Sequence, residues 1–172
     1  MAKILETVVT HLEMTTRPAK RLRAPTGMYL AMMRAPNIPL HFYRYLYEVI
    51  GGDYHWLERR VLGDEELSER VHAEGVDIVV LYANGAPAGY YELDFRGEQE
   101  VRLVYFGIVE DFIGRGLGPY LLSEALAHAW RPEVEKVKVE TCTFDHPAAL
   151  PLYQRAGFEP VARETRTLTG PG

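Results

Sequence analysis

The sequence predicts one α/β (α+β) domain of three layers, with a central mixed, mostly antiparallel sheet and helices on both of its faces. Across 172 residues the hydrophobic periods read strand, helices, three meandering strands, helix, strand, helix, strand. Asn84-Gly85 between two β-branched and aromatic runs is a two-residue hairpin signal. Glu100 to Trp130 reads as a buried strand, a short turn, a glycine-rich loop and a long amphipathic helix.

Ile4–Met14 is predicted as the first strand, anchored by Leu5, Val8, Val9 and Leu12. Thr15–Gly27 holds Arg17, Lys20, Arg21 and Arg23 among prolines, with no aromatic residues between the charges, and reads as a solvated loop. Met28–Arg34 fits a strand or a short helix equally. Leu40–Ile50 is an aromatic helix closed by Gly51 and Gly52. Asp53–Val61 reads as a further helical turn, and Asp64 as the cap of a helix over Glu65–Glu74. Val76–Ala83, Ala86–Phe95 and the strand within Val101–Val109 form an antiparallel meander. After the long helix, Val134–Phe144 is a strand, Asp145 the N-cap of a short helix over Ala148–Arg155, and Phe158–Leu168 the last strand. Thr169–Gly172 reads as a loose tail.

The net charge of −5 carries no basic footprint, so nucleic acid is not the expected partner. The single cysteine, Cys142, excludes an internal disulfide framework and a cysteine zinc cluster and suits a reducing cytoplasm. The six histidines show no metal-ligand spacing, and no metal is expected. Met1–Thr16 lacks the apolar run of a signal peptide, and no stretch approaches the ~20 apolar residues that cross a bilayer, so neither export nor membrane contact is expected.

Gly114, Gly116 and Gly118 stand where a strand gives way to a helix. Glycines there let the backbone turn tightly and bring its N–H groups, at the positive end of the helix dipole, close to an anion such as a phosphate. Pro119 fits the helix's first turn. A nucleotide-binding phosphate loop would need a Lys-Ser/Thr pair that is absent.

Two segments in this order, about 30 residues apart, carry a resemblance. Gly114–Gly118 resembles the pyrophosphate loop of the GNAT superfamily of acyl-CoA-dependent N-acyltransferases. D-H-P-A-A-L-P-L-Y-Q-R-A-G-F-E-P, Asp145 to Pro160, is similar to that superfamily's second signature, and the hairpin around Asn84-Gly85 to its central hairpin. The likeness covers 76–168, the acetyl-CoA-binding part, leaving 1–75 to shape the acceptor side. It implies acetyl-CoA as co-substrate, with the coenzyme held by backbone groups of Phe106, Ile108 and Val109 and by Ile113, Gly114, Arg115, Gly116, Leu117 and Gly118, together with Asp145 and Tyr153. The family loop usually opens on Arg or Gln; Ile113 stands there, so Arg115 is the nearest cation.

The resemblance makes Tyr153 the acid that protonates the departing thiolate. The family's strand glutamate aligns with Arg102, so the base is expected at Glu92, with Glu100, Tyr105 or water as alternatives. Cys142 reads as a core residue rather than a nucleophile. The implied activity is N-acetyl transfer by direct attack onto a primary amine of a small molecule or peptide, in a monomer or homodimer. The alternative is a non-catalytic acyl-CoA-binding or regulatory domain. Glu92, Asp94 and the acidic balance favour a cationic amine, and the aromatic Phe42–Trp56 segment an apolar pocket wall.

Overall fold

Seven strands make one sheet in the computed structural model, which describes residues 3–170. They are β1 (Lys3–Met14), β2 (Leu30–Arg34), β3 (Val76–Ala83), β4 (Ala86–Asp94), β5 (Glu100–Ile108), β6 (Lys136–Cys142) and β7 (Glu159–Gly170), in the spatial order β2-β3-β4-β5-β6-β1-β7. Only β5 and β6 run parallel. The helices are α1 (Leu40–Gly51), α2 (Asp64–Val71), α3 (Leu117–Ala129) and α4 (Ala149–Ala156).

The period of two sorts the strands' side chains onto two cores. Leu81, Leu93, Leu103 and Val137 meet Leu117, Leu121 and Ala125 of α3 and Tyr153 of α4. Ile78, Val80 and Tyr90 meet Tyr43 and Leu46 of α1 and Leu67 of α2 on the opposite face. At the β3–β4 turn Asn84 (φ 51) and Gly85 (φ 82) are both left-handed, as the two-residue hairpin requires.

The first strand lies inside the sheet. β1 pairs with β6 from Val9↔Cys142 to Met14↔Val137, and with β7 from Lys3↔Gly170 to Glu13↔Glu159. Leu12 and Met14 of β1 pack into the α3 core, and Thr7, Val9 and Thr10 are also buried, whereas Ile4 and Val8 stay exposed. The chain must then travel to β2 at the far edge, and residues 15–29 make that crossing over α3. Arg21 Nε donates to Glu124 Oε1 at 3.1 Å, the Leu22 N–H donates to Ser123 Oγ at 2.8 Å, and Pro25 lies beside Gly116.

Several local expectations change. Leu30–Arg34 is a strand, and the turn expected over Asp53–Val61 contracts to a 3₁₀ turn at Gly52–Tyr54. Gly51 (φ −96) and Gly52 (φ −57) do not close α1 in the left-handed way; Gly51 is required instead by packing, because a Cβ there would lie 2.2 Å from the Trp56 ring. Asp64 is the first residue of α2, behind Gly63, with no side-chain cap bond. Asp145 does not cap α4: Ala148 takes that place, and the Asp145 carboxylate is drawn back to the end of β6. Of the expected tail, Thr169 and Gly170 extend β7, and 171–172 lie outside the described residues. No helix is long and apolar enough to cross a membrane among the described residues.

A polar clamp ties α3 to the β2–β3 edge. Buried Asp77 accepts from Arg34 (2.8 Å), Arg131 (3.2 Å) and His128 Nε2 (2.9 Å), while the Tyr91 hydroxyl donates to His128 Nδ1 (2.9 Å). Burial lowers the His128 pKa, against the pull of Asp77. The unfolded chain therefore takes this proton first as pH falls, so its share of stability is complete above about pH 6.5 and declines below. Thermal melts from pH 8 to 5 are expected to show a Tm that drops below about pH 6.5 in the native chain, and a shallower drop in His128→Gln.

Candidate active site

The opening between β5 and β6 organises the site. Their parallel pairing runs from Glu100↔Lys136 to Leu103↔Val139 and then stops, although β5 continues to Ile108 and β6 to Cys142. A bulge in β5 opposite Glu92 and Leu93 accompanies the parting. A cavity of about 970 Å³ fills the gap, bounded by the glycine loop, α4 and the segment after α1.

Backbone direction decides which groups of β5 are free. The Val109 N–H donates to Ala88 O at 2.7 Å, so by the two-residue period Phe106 and Ile108 turn their N–H and C=O groups away from β4, into the gap. Val109, expected to contact the coenzyme through its backbone, has its N–H committed to β4. The same correction applies at Ile113, whose N–H closes the 3₁₀ turn Glu110–Phe112 onto Glu110 O at 3.1 Å. The remaining cradle is shorter. Gly114 (φ 83) and Gly116 (φ 80) are left-handed, Leu117 begins α3, and no turn or loop carbonyl among the described residues takes the N–H groups of 114–118. Pro119 ends the run of donors. The result is a run of unpaired N–H groups at a helix N-terminus, a nest with the geometry that suits an anion. Arg115 leans on the Phe112 ring, 5.6 Å from its centroid, at the edge of this nest.

Tyr153 projects from α4 into the cavity wall, 6% exposed, between Phe106 (6.2 Å between centroids) and Phe158 (5.8 Å). Burial, then the nearby Asp145 carboxylate, push its phenol well above the ordinary value. Asp145 accepts from Thr141 Oγ1 (2.6 Å) and the Cys142 N–H (2.9 Å), so it holds the turn after β6. Cys142 lines the cavity half-buried rather than sitting in the core, and burial with Asp145 nearby raises its thiol pKa, the opposite of what a nucleophilic thiolate needs.

Glu92 also lines the cavity, at 1% exposure, but it is engaged. Arg59 Nη1 donates to both of its oxygens at 2.7 Å, and the Tyr43 hydroxyl donates to Oε1 at 2.9 Å. Glu100 lies off the cavity wall, paired with Lys138 at 3.0 Å. Tyr105 is in the wall, its hydroxyl 3.4 Å from that of Tyr47, and burial raises its pKa strongly. Arg102 is there too, on Glu140 at 3.3 Å.

From the aromatic Phe42–Trp56 segment, Tyr47, Tyr54, His55 and Trp56 reach the cavity, whereas Phe42 and Tyr43 do not. Gly107 makes the close packing feasible: a Cβ there would lie 2.3 Å from Ile50 Cγ2. The turn after α1 also bridges the cavity mouth, with His55 against Phe144 (4.7 Å) and Tyr54 against His146 (5.6 Å). Arg59 is the participant that the sequence conceals. It sits in a polar run, E-R-R, where nothing distinguishes the buried arginine from the half-buried Arg60 beside it.

Comparison with known families and structures agrees with this geometry. The model of the acetyltransferase (GNAT) family matches residues 42–158, and the chain belongs to that family. Among solved structures it is similar to a functionally unknown conserved protein from Staphylococcus epidermidis ATCC 12228 (TM-score 0.63, 14% identity, 96% of this chain and 62% of that one). It is also similar to a tandem GNAT protein from the clavulanic acid biosynthesis pathway (0.64, 21%, 96% and 54%). A third likeness is to an aminoglycoside acetyltransferase from an uncultured soil metagenomic sample, in complex with trehalose (0.59, 14%, 74% and 86%). The chain thus spans 62% and 54% of the first two structures. At these identities the likeness shows the fold. Comparison with curated proteins finds no match.

Proposed function

We propose that the chain is an N-acetyltransferase that moves the acetyl group of acetyl-CoA to a primary amine by direct attack. The observation that carries this is one cavity joining three parts: the N–H nest at 114–118, the unpaired edge of β5 and the buried phenol of Tyr153. The nest suits a pyrophosphate, and the free groups of Phe106 and Ile108 suit a pantetheine arm added like a strand.

The amine nitrogen attacks the thioester carbon and forms the C–N bond. The Ile108 N–H, turned away from β4 into the gap, stabilises the resulting oxyanion in this reading. The C–S bond then breaks with its electron pair on sulfur, and the Tyr153 hydroxyl gives that sulfur its proton; solvent later restores the phenol. Glu92, with both oxygens on Arg59, holds that guanidinium in place. The ammonium gives one proton to cavity water before attack, and the nitrogen of the tetrahedral intermediate gives a second as the C–S bond breaks; with the proton that solvent returns to Tyr153, one proton is released per turnover. The acceptor is a small molecule or a peptide.

Thiol release from acetyl-CoA is expected to depend on an added amine when a panel of primary amines is tested. Coenzyme A binding without amine-dependent thiol release would instead make this a binding or regulatory domain on the same scaffold.

A further inference from the structure

We infer that the acceptor carries a carboxylate, which seats on Arg59. This deepens the acetyltransferase reading above and rests on it.

Arg59 is 9% exposed and lies over the Tyr105 ring, 4.8 Å from its centroid, in the cavity wall. All its side-chain hydrogen bonds leave from one nitrogen: Nη1 serves Glu92 and the Tyr43 hydroxyl (2.6 Å). Nε and Nη2 take no acceptor among the described residues, and neither is sealed away as an unpartnered buried atom. Those two nitrogens form the side edge of the guanidinium, with parallel N–H bonds that match the two oxygens of a carboxylate. Glu92 and Tyr43 hold the group from one end and leave this fork without a protein acceptor, in a side chain that lines both the reaction cavity and a smaller one beside Arg44 and Arg60.

The charges around it point the same way. Asp94 is taken by Arg96 at 2.8 Å, and Glu140 by Arg166 (3.1 Å) and Arg102. Of the acids in the wall, Glu58, exposed at the segment after α1, and Asp145, bonded to Thr141 Oγ1 and the Cys142 N–H, have no cation partner among the described residues. Glu92 and Asp94, the acidic residues that favoured a cationic acceptor on sequence grounds, are spent on Arg59 and Arg96. Tyr105 precedes Ile108 by three residues, about 10 Å along a strand. A carboxylate on Arg59 and an amine near Ile108 therefore suit a compact aminocarboxylate, with the two groups several bonds apart.

The test is thiol release with matched acceptors: α-amino acids, β-alanine and γ-aminobutyrate, each beside the amine that lacks its carboxyl group. In the native chain the preferred carboxylated acceptor is expected to exceed its partner in kcat/KM by about tenfold to a hundredfold, the range of one charged hydrogen-bonded pair. Arg59→Gln with Glu92→Gln removes the charge pair while leaving both groups able to hydrogen-bond each other. This double variant is expected to bring the ratio close to one, through KM. Arg59→Lys keeps the charge, loses the fork and is expected to fall between. Calorimetric titration of the best carboxylated acceptor into the coenzyme A complex should show binding that the double variant lacks. Amines acetylated equally well with and without a carboxyl group would overturn the inference and leave the acetyltransferase reading standing, as would a preference that survives in the double variant. Failure to acetylate any amine would overturn both.

Discussion

Tyr153→Phe is expected to lower kcat by about 10²- to 10⁴-fold, the usual contribution of a positioned general acid. Coenzyme A affinity should hold, because the nest at 114–118 and the free edge of β5 are backbone features. Stability should stay within about 0.5–1 kcal/mol. The ring keeps its contacts with Phe106 and Phe158, and the hydroxyl gives no hydrogen bond to a protein group among the described residues. A loss of turnover without a loss of binding or folding is the signature of a group that acts only when the C–S bond breaks. Because burial and Asp145 hold the phenol protonated well beyond neutral pH, the native rate should show no alkaline fall from this residue between about pH 6 and 9.5. Rates and thermal melts of the variant check the first expectation, and the native pH profile the second. A variant with native kcat would remove Tyr153 from the chemistry.

The parts of this site that could be read from the chain are those in which a local pattern dictates a local shape. Asn84-Gly85 dictates its hairpin because both residues tolerate left-handed backbone. Gly114 and Gly116 dictate the nest for the same reason, and Tyr153 follows from its place in a motif. What stayed hidden depends on contacts, near or distant in the chain, that no local pattern marks. β1 reads as a strand from Leu5, Val8, Val9 and Leu12, but nothing in its pattern says that its neighbours are β6 and β7 or that Thr7 and Thr10 are buried. Asp145 before a helix reads as a cap, yet the end of β6 competes for the same carboxylate and wins with two donors. The Val109 N–H is lost to Ala88 O across the β4–β5 ladder, and the Ile113 N–H to Glu110 O within a 3₁₀ turn. Arg59 is buried because Glu92 and Tyr43 converge on it from β4 and α1, and a sequence read in one dimension holds no sign of that convergence.

Removing Glu92's charge is expected to be the most damaging change to stability. Glu92→Gln leaves the Arg59 guanidinium buried beside Tyr43 and Tyr105 without a counter-charge, at a cost of about 3–5 kcal/mol. Adding Arg59→Gln should recover most of that loss, because the pair is removed together and no lone charge remains. The double-mutant cycle measures the coupling directly, from urea melts of the four proteins. The same variant separates two roles for Glu92 in turnover. A group that holds Arg59 fails through the acceptor: KM rises by about tenfold or more, while the shape of the rate-against-pH curve stays native. A group that takes the ammonium's proton fails through kcat, by about 10²- to 10⁴-fold near neutral pH, and the variant then regains rate as pH rises and more amine is free. Both oxygens of Glu92 lie on one nitrogen of Arg59, so accepting a proton would break the ion pair at the moment of attack. The first pattern is therefore the expected one. A kcat that collapses and recovers in alkali would return the base to Glu92.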